Sequence, residues 1–158
     1  MELLPFFEWM ESSVLGTIGK TYGGVYAIGQ SIHLFALAML GGTVLVTDLR
    51  LLGVLLKSTP SEVVAEEAHK WFKVALVAML ASGTFMAAAV AVRMYRNDFF
   101  WAKMLALAVG ILFVFMIKRP LLRGPHAEIN PLALKSMAIA SIMVWFTVAA
   151  TGRWIGFS

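Results

Sequence analysis

The chain contains no cysteine. Disulfides, zinc–thiolate sites and iron–sulfur clusters therefore drop out at the start. Charge is scarce as well: Asp, Glu, Lys and Arg make up only 14% of the 158 residues. No glycine-rich phosphate loop, HExxH pattern or carboxylate pair within an apolar stretch occurs, which removes nucleotide cradles, zinc-protease chemistry and acidic proton relays. The 13 Lys and Arg never gather into a basic run, so the formal charge of +4 is no nucleic-acid footprint. Ser82 and Thr84 fall in an apolar segment with nothing in the sequence to pair either with a base, and Ser12-Ser13 beside Glu11 makes no nucleophile. The sequence shows no catalytic constellation, which leans against an enzyme and leaves that question open.

What is present is apolar bulk. Hydrophobic residues account for 60% of the chain, in a length that suits one domain. A water-soluble domain of this size could not hide so much apolar surface, because its own exterior must be wetted. A lipid bilayer removes the conflict by serving as the solvent.

Four segments, at about 25–47, 72–92, 100–117 and 132–151, are long and apolar enough to span. A hydrocarbon core of about 30 Å takes roughly 20 helical residues. Helix is required, because an unpaired backbone group in lipid costs several kcal/mol and the alternation of a barrel strand is missing. Ser58-Thr59-Pro60-Ser61 marks a stop followed by a new start, with Thr59 or Ser61 as candidate caps and Glu62 in the first turn. Asn97-Asp98 breaks the next connection, and Pro120, Gly124, Pro125 and Pro131 punctuate the last. Short links imply antiparallel neighbours. The expected fold is all-α: an integral-membrane up-down four-helix bundle over 22–158. Residues 1–21 stand apart. Leu4, Phe7, Met10, Val14 and Ile18 recur at roughly helical spacing, with Trp9 suited to the headgroup layer, and predict an amphipathic interfacial helix.

Glu2, Glu8 and Glu11 occupy the place of a positively charged leader region, so the first span is expected to direct insertion. Five Lys and Arg fall on the side of the termini and eight on the other. The positive-inside rule then puts both termini outside, in the periplasm if the membrane is a bacterial inner membrane.

An ionisable ring sits inside the first span. His33 lies about eight residues in, hence about 12 Å deep at 1.5 Å per residue. Tyr22, Tyr26, Gln30 and His33 share one helical face, which should look into the bundle. Gly29 and Gly41-Gly42 would admit a close neighbour. Three roles stay open for His33: axial ligand to haem iron, ligand to copper or another metal ion, or a hydrogen bond between helices. His69 and His126 fall at the opposite end, too far along the axis to share iron with it. At matching depth stand Met86 and Met143, whose thioethers could complete a His/Met haem site or soften a copper(I) site. Methionine is equally a packing residue, and there are 10. Lys103 and Arg153, near the outer surface, could hold haem propionates, an anionic headgroup or a quinone carbonyl, or serve as interfacial anchors alongside Trp154. Asp48 and Arg50 border the inner end and are expected to pair with Lys118, Arg119, Glu66 or Glu67 as an ion-paired rim.

The stretch SIHLFALAMLGGTVLVTDLRLLG resembles the H…G…DLRLLG first span of a large group of bacterial four-span membrane proteins with no established function. RNDFFWAKMLAL resembles that group's third-span start, with Asp98 where proline is frequent, and TGRWIGF its terminal GRWI motif. The architecture is more distantly similar to the copper-resistance D family and to the HemJ type of protoporphyrinogen oxidase, the latter associated with haem b. The resemblance directs attention to His33, Asp48, Arg50, Lys103, Gly152, Arg153 and Trp154 without supplying an activity. The functional expectation is a small membrane protein that binds haem b or another redox ligand through His33, in an electron-transfer or accessory role with a quinone or redox partner. The alternatives are a cofactor-free subunit of a larger membrane complex and copper handling.

Overall fold

The computed structural model describes residues 3–124 and 129–157; Glu2 and His126 lie outside them. The described chain is built from helices: α1 (Leu4–Ser12), α2 (Val14–Thr21), α3 (Gly23–Leu51), α4 (Ser61–Ala89), α5 (Ala91–Tyr95), α6 (Asp98–Leu112), a π-helical stretch (Phe113–Lys118), α7 (Arg119–Leu121) and α8 (Pro131–Trp154). Four helical spans, Gly23–Leu51, Ser61–Ala89, Asp98–Leu121 and Pro131–Phe157, are long and apolar enough to cross a membrane. The all-α, four-span expectation holds. The second span starts some ten residues earlier than its apolar run, because Glu62, Glu66, Glu67, Lys70 and Lys73 ride on the same continuous helix.

Local chemistry sets the ends of these helices. α3 closes with Gly53 at φ 75, with Val54 N–H bonded to the Leu49 carbonyl and Gly53 N–H to that of Arg50. That is a Schellman closure, in which glycine takes the left-handed position without a Cβ clash. α4 starts at Ser61, with Pro60 at the N-cap position and Glu62 in the first turn. Asn97 caps α6 by accepting from Phe99 and Phe100 N–H, and Asn130 caps α8 by accepting from Leu132 N–H.

In the bundle, α3 packs chiefly on α4, α6 packs on α8, and α3 joins the two pairs through α8. The core runs along Ala36, Leu40 and Val44 of α3, Phe72, Ala75, Leu76 and Met79 of α4, and Trp145 and Val148 of α8, with Leu107 and Val114 from the third span. Much of the outside is apolar: Phe35, Phe146, Met116 and Leu105 are all about 70% exposed. In water that surface would drive aggregation; against acyl chains it costs nothing.

The N-terminal segment is two helices, not one. Ser13, in extended backbone, ends α1 and caps α2 by accepting from Gly16 N–H. Both helices dock on the terminal end of the bundle. Phe7 is buried against the rings of Tyr95, Phe100 and Trp101, and Gly16 and Gly19 of α2 meet Ala88 and Ala89. Glu11 accepts from Val92 N–H at 2.7 Å, taking up a backbone donor freed where the second span breaks at Val90, and is ion-paired to Lys20. Those two donors hold the Glu11 carboxyl below its ordinary range, the Lys20 bond first.

Candidate functional site

Two polar clusters interrupt the apolar interior. The first lies toward the terminal end, between α3 and α4. His33 Nδ1 is 3.0 Å from Ser82 Oγ. The Ser82 hydroxyl gives its own proton to the Ala78 carbonyl at 2.6 Å. Its oxygen is therefore the acceptor from His33, the proton belongs on Nδ1, and Nε2 is left with a free lone pair. This tautomer follows from the hydrogen-bond pattern. The ring lies against Gly83, where a Cβ would stand 3.1 Å from His33 Cε1. Lys103 lays its aliphatic stem against Gly152 and brings its ammonium near enough for its charge to act on His33.

Of the residues singled out in the sequence, the fold gathers His33 and Lys103. Ser82, Gly83 and Gly152 complete the cluster. Ser82 does have a ring partner, contrary to the sequence reading, because α3 and α4 run side by side and bring together positions far apart in the chain. Other candidates point elsewhere. Met143 is 59% exposed on the outer face of α8, so its sulfur is not turned toward His33. Gln30 is exposed, not facing the bundle; Tyr26 is half-buried beside Phe85. Arg153 places its guanidinium 4.7 Å from the Phe157 ring centre, and Trp154 stacks on Phe99. Met86 is half-buried one turn beyond Ser82 and stays in the neighbourhood. Thr84 bonds its own helix at the Leu80 carbonyl.

The second cluster lies toward the loop end. Lys118 Nζ donates to Asp48 Oδ1 at 2.5 Å and to Ser141 Oγ at 3.0 Å. Three spans thus meet at one ammonium. Asp48 and Ser141 are fully buried and Lys118 is 6% exposed, so this is an interior cluster and not the rim expected from the sequence. The π-helical stretch that ends at Lys118 explains how a lysine reaches the interior. One extra residue in a turn rotates everything after it by about 100°, the angle per residue of an α-helix. The true rim holds Arg119, 3.4 Å from Glu66. Among the described residues Arg50 meets no carboxylate; its Nε donates to the Thr59 carbonyl at 2.7 Å and ties the end of α3 to the following loop. Ser141 was not anticipated. The available signal was its helical phase, four residues before Trp145 on the buried face of α8.

Among the described residues no group of three or more His, Cys, Asp or Glu could hold a metal ion. This chain's offer to a metal in the first cluster is one imidazole nitrogen, with a thioether nearby.

Four long apolar helices, an oily exterior and polar side chains turned inward define a multi-pass helical membrane protein. The chain belongs to the family described as "Family of unknown function (DUF6644)", whose model matches residues 6–158. No curated protein and no solved structure matches it.

Proposed function

We propose that this protein is a membrane redox accessory subunit that presents His33 Nε2 to a haem b, in an electron-transfer role alongside a quinone or redox partner. The carrying observation is the His33–Ser82 hydrogen bond. It fixes ring and tautomer as the outer partners of metal-bound histidines do, and leaves one nitrogen free to ligate. Haem iron accepts a single axial histidine, whereas copper(I) sites draw on several soft ligands, so the donor set favours haem over copper handling. Haem, when bound, supplies one-electron chemistry. His33 would hold it, Lys103 would face its propionates, and Met86 is the remaining candidate on this chain for a second ligand. The excess of Lys and Arg at the loop end supports periplasmic termini in a bacterial inner membrane.

Absorption spectroscopy of the detergent-purified protein, reconstituted with haem b, tests this. The expected result is a Soret band at one haem per chain that His33→Ala abolishes and Met143→Ala leaves unchanged. A band that survives His33→Ala, or none after reconstitution, overturns the reading. A second reading, a cofactor-free subunit of a larger complex, is favoured by an apolar groove of ≈ 460 Å³ between α3 and α4, lined by Met39, Gly42, Val46, Val63 and Trp71 among others. Gly42 has open space beside it, room for a helix of another subunit.

A further inference from the structure

Between α3, α4 and the π-helical stretch lies a cavity of ≈ 40 Å³, lined by Thr43, Thr47, His69, Phe72, Lys118 and Arg119 among others. A cavity needs only about 10–15 Å³ of this measure to hold a water, provided two to four polar partners face it. Its walls meet that condition. The Thr43 hydroxyl proton goes to the Leu40 carbonyl and that of Thr47 to the Thr43 carbonyl, so both oxygens turn lone pairs outward. Lys118 has three N–H groups, of which Asp48 and Ser141 take two. Arg119 Nε is buried without a protein partner, and so is Oδ2 of Asp48, the residue paired to Lys118 behind the cavity wall. Donors and acceptors are mixed, as water requires. A bare anion would meet the threonine lone pairs, and a cation would meet Lys118 and Arg119.

The cavity lies in the loop-end half of the bundle. Its loop-end rim carries His69 and Arg119, both half-buried, with Glu66 paired to Arg119. Toward the termini stands an apolar layer of Leu40, Leu76, Met79, Trp145 and Val148, all buried.

We propose that this cavity is filled by water and gives the buried Asp48–Lys118–Ser141 cluster proton access from the loop end alone. An ionisable group held within a membrane span at this cost is a functional candidate in its own right. The uptake step balances. A proton moves from Lys118 Nζ to Asp48 Oδ1 along their hydrogen bond, breaking N–H and forming O–H. The freed Nζ lone pair takes a proton from cavity water, which regains one from solution. The net change is one bound proton, a neutral Asp48 and an ammonium as before. The other charged or titratable described groups at this end are His69, Glu62, Glu66, Lys73 and the paired Glu67 and Lys70 on α4, Lys57 in the loop before it, Arg119 on α7, Arg123 beyond it, Arg50 on α3 and Lys135 on α8. Lys118 and Asp48 are shielded from bulk solvent, and of these groups only His69 and Arg119 line the cavity.

Two measurements on the full chain in detergent test the proposal. In hydroxyl-radical footprinting, Phe72, which is 4% exposed, should be oxidised by water in the cavity. Met79, two turns deeper, should be spared although its sulfur is the more reactive. An unmodified Phe72 means a dry cavity, and a Met79 oxidised as readily as Phe72 means water passes the apolar layer; either overturns the proposal. In pH-difference infrared spectra, a protonated-carboxyl band should grow on acidification, vanish in Asp48→Asn and shift in Ser141→Ala. The serine variant keeps the ion pair and serves where the asparagine variant fails to fold. No such band while the protein stays folded, or one that Ser141→Ala leaves in place, refutes proton uptake at Asp48.

Discussion

Removing Lys118 leaves the most exposed weakness this fold can be given. Lys118→Met keeps the length of the side chain and its packing while taking away the cation. Asp48 has no solvent exposure, and its Oδ2 has no partner even in the intact protein. The substitution strips Oδ1 of its 2.5 Å donor as well. Breaking a buried ion pair by removing one partner costs about 3–5 kcal/mol, and proton uptake by the stranded carboxylate pulls the loss toward the lower figure. Removing both charges should behave differently. Asp48→Leu with Lys118→Met replaces the pair by apolar side chains, a change that ranges from neutral to about 1–4 kcal/mol stabilising in comparable sites. The assay is equilibrium unfolding in mixed micelles by titration with a denaturing detergent, for wild type, both single variants and the double. The expected pattern is two destabilised singles and a double near wild type or above, hence a large non-additive coupling. A Lys118→Met variant within about 0.5 kcal/mol of wild type, the range of ordinary surface substitutions, would refute the reasoning. So would a double variant that loses the sum of the singles.

Two further outcomes concern the terminal end. Because the Glu11 carboxyl is held below its ordinary range in the folded state, its bonds to Lys20 and Val92 stabilise the docking of α1 above the unfolded value. That contribution is lost as pH falls through the lowered folded value. Amide exchange at Val92 should therefore accelerate on acidification, and in Glu11→Gln it should not follow pH in this way beyond the intrinsic chemistry. Asn97→Ala removes the side-chain oxygen that accepts from Phe99 and Phe100 N–H, and should lower stability by about 0.5–2 kcal/mol in the same unfolding assay, with Asn97→Asp restoring most of it.

Lipid as solvent, the number of spans and their helical nature were legible in the chain, because each depends on the composition of a contiguous stretch. Asn97, Pro60 and Pro131 marked breaks correctly for the same reason: a cap or a missing N–H acts on its immediate neighbours; Pro120 instead lies inside α7, and Pro125 falls outside the described residues. Helix ends set by longer reach were not legible. α4 runs ten residues past its apolar stretch into charged sequence, and the break at Val90 has no proline or glycine to announce it. There Glu11 supplies an acceptor from a helix at the other end of the chain. The single amphipathic helix expected over 1–21 splits at Ser13, whose hydroxyl serves α2 as a cap.

The candidate site divides along the same line. His33 and Asp48 could be picked out one at a time, since an ionisable residue in an apolar run is conspicuous wherever it stands. Lys118 stood among the partners expected for Asp48, and that pair is formed; the choice among the candidates and the serine partners were not legible. Ser82, Lys103 and Ser141 are chosen by which helices lie side by side, and Met143 and Gln30 were set aside by the rotation of their own helices about their axes. One π-turn before Lys118 moves that lysine from a rim to the interior, a rotation no pattern of apolar residues records. Composition therefore determined the medium in which this protein folds and the count of its helices, through short-range physics. Which polar groups meet inside, and whether a lone charge finds its counterpart, was decided only when the helices packed, because those contacts join residues that the sequence keeps far apart.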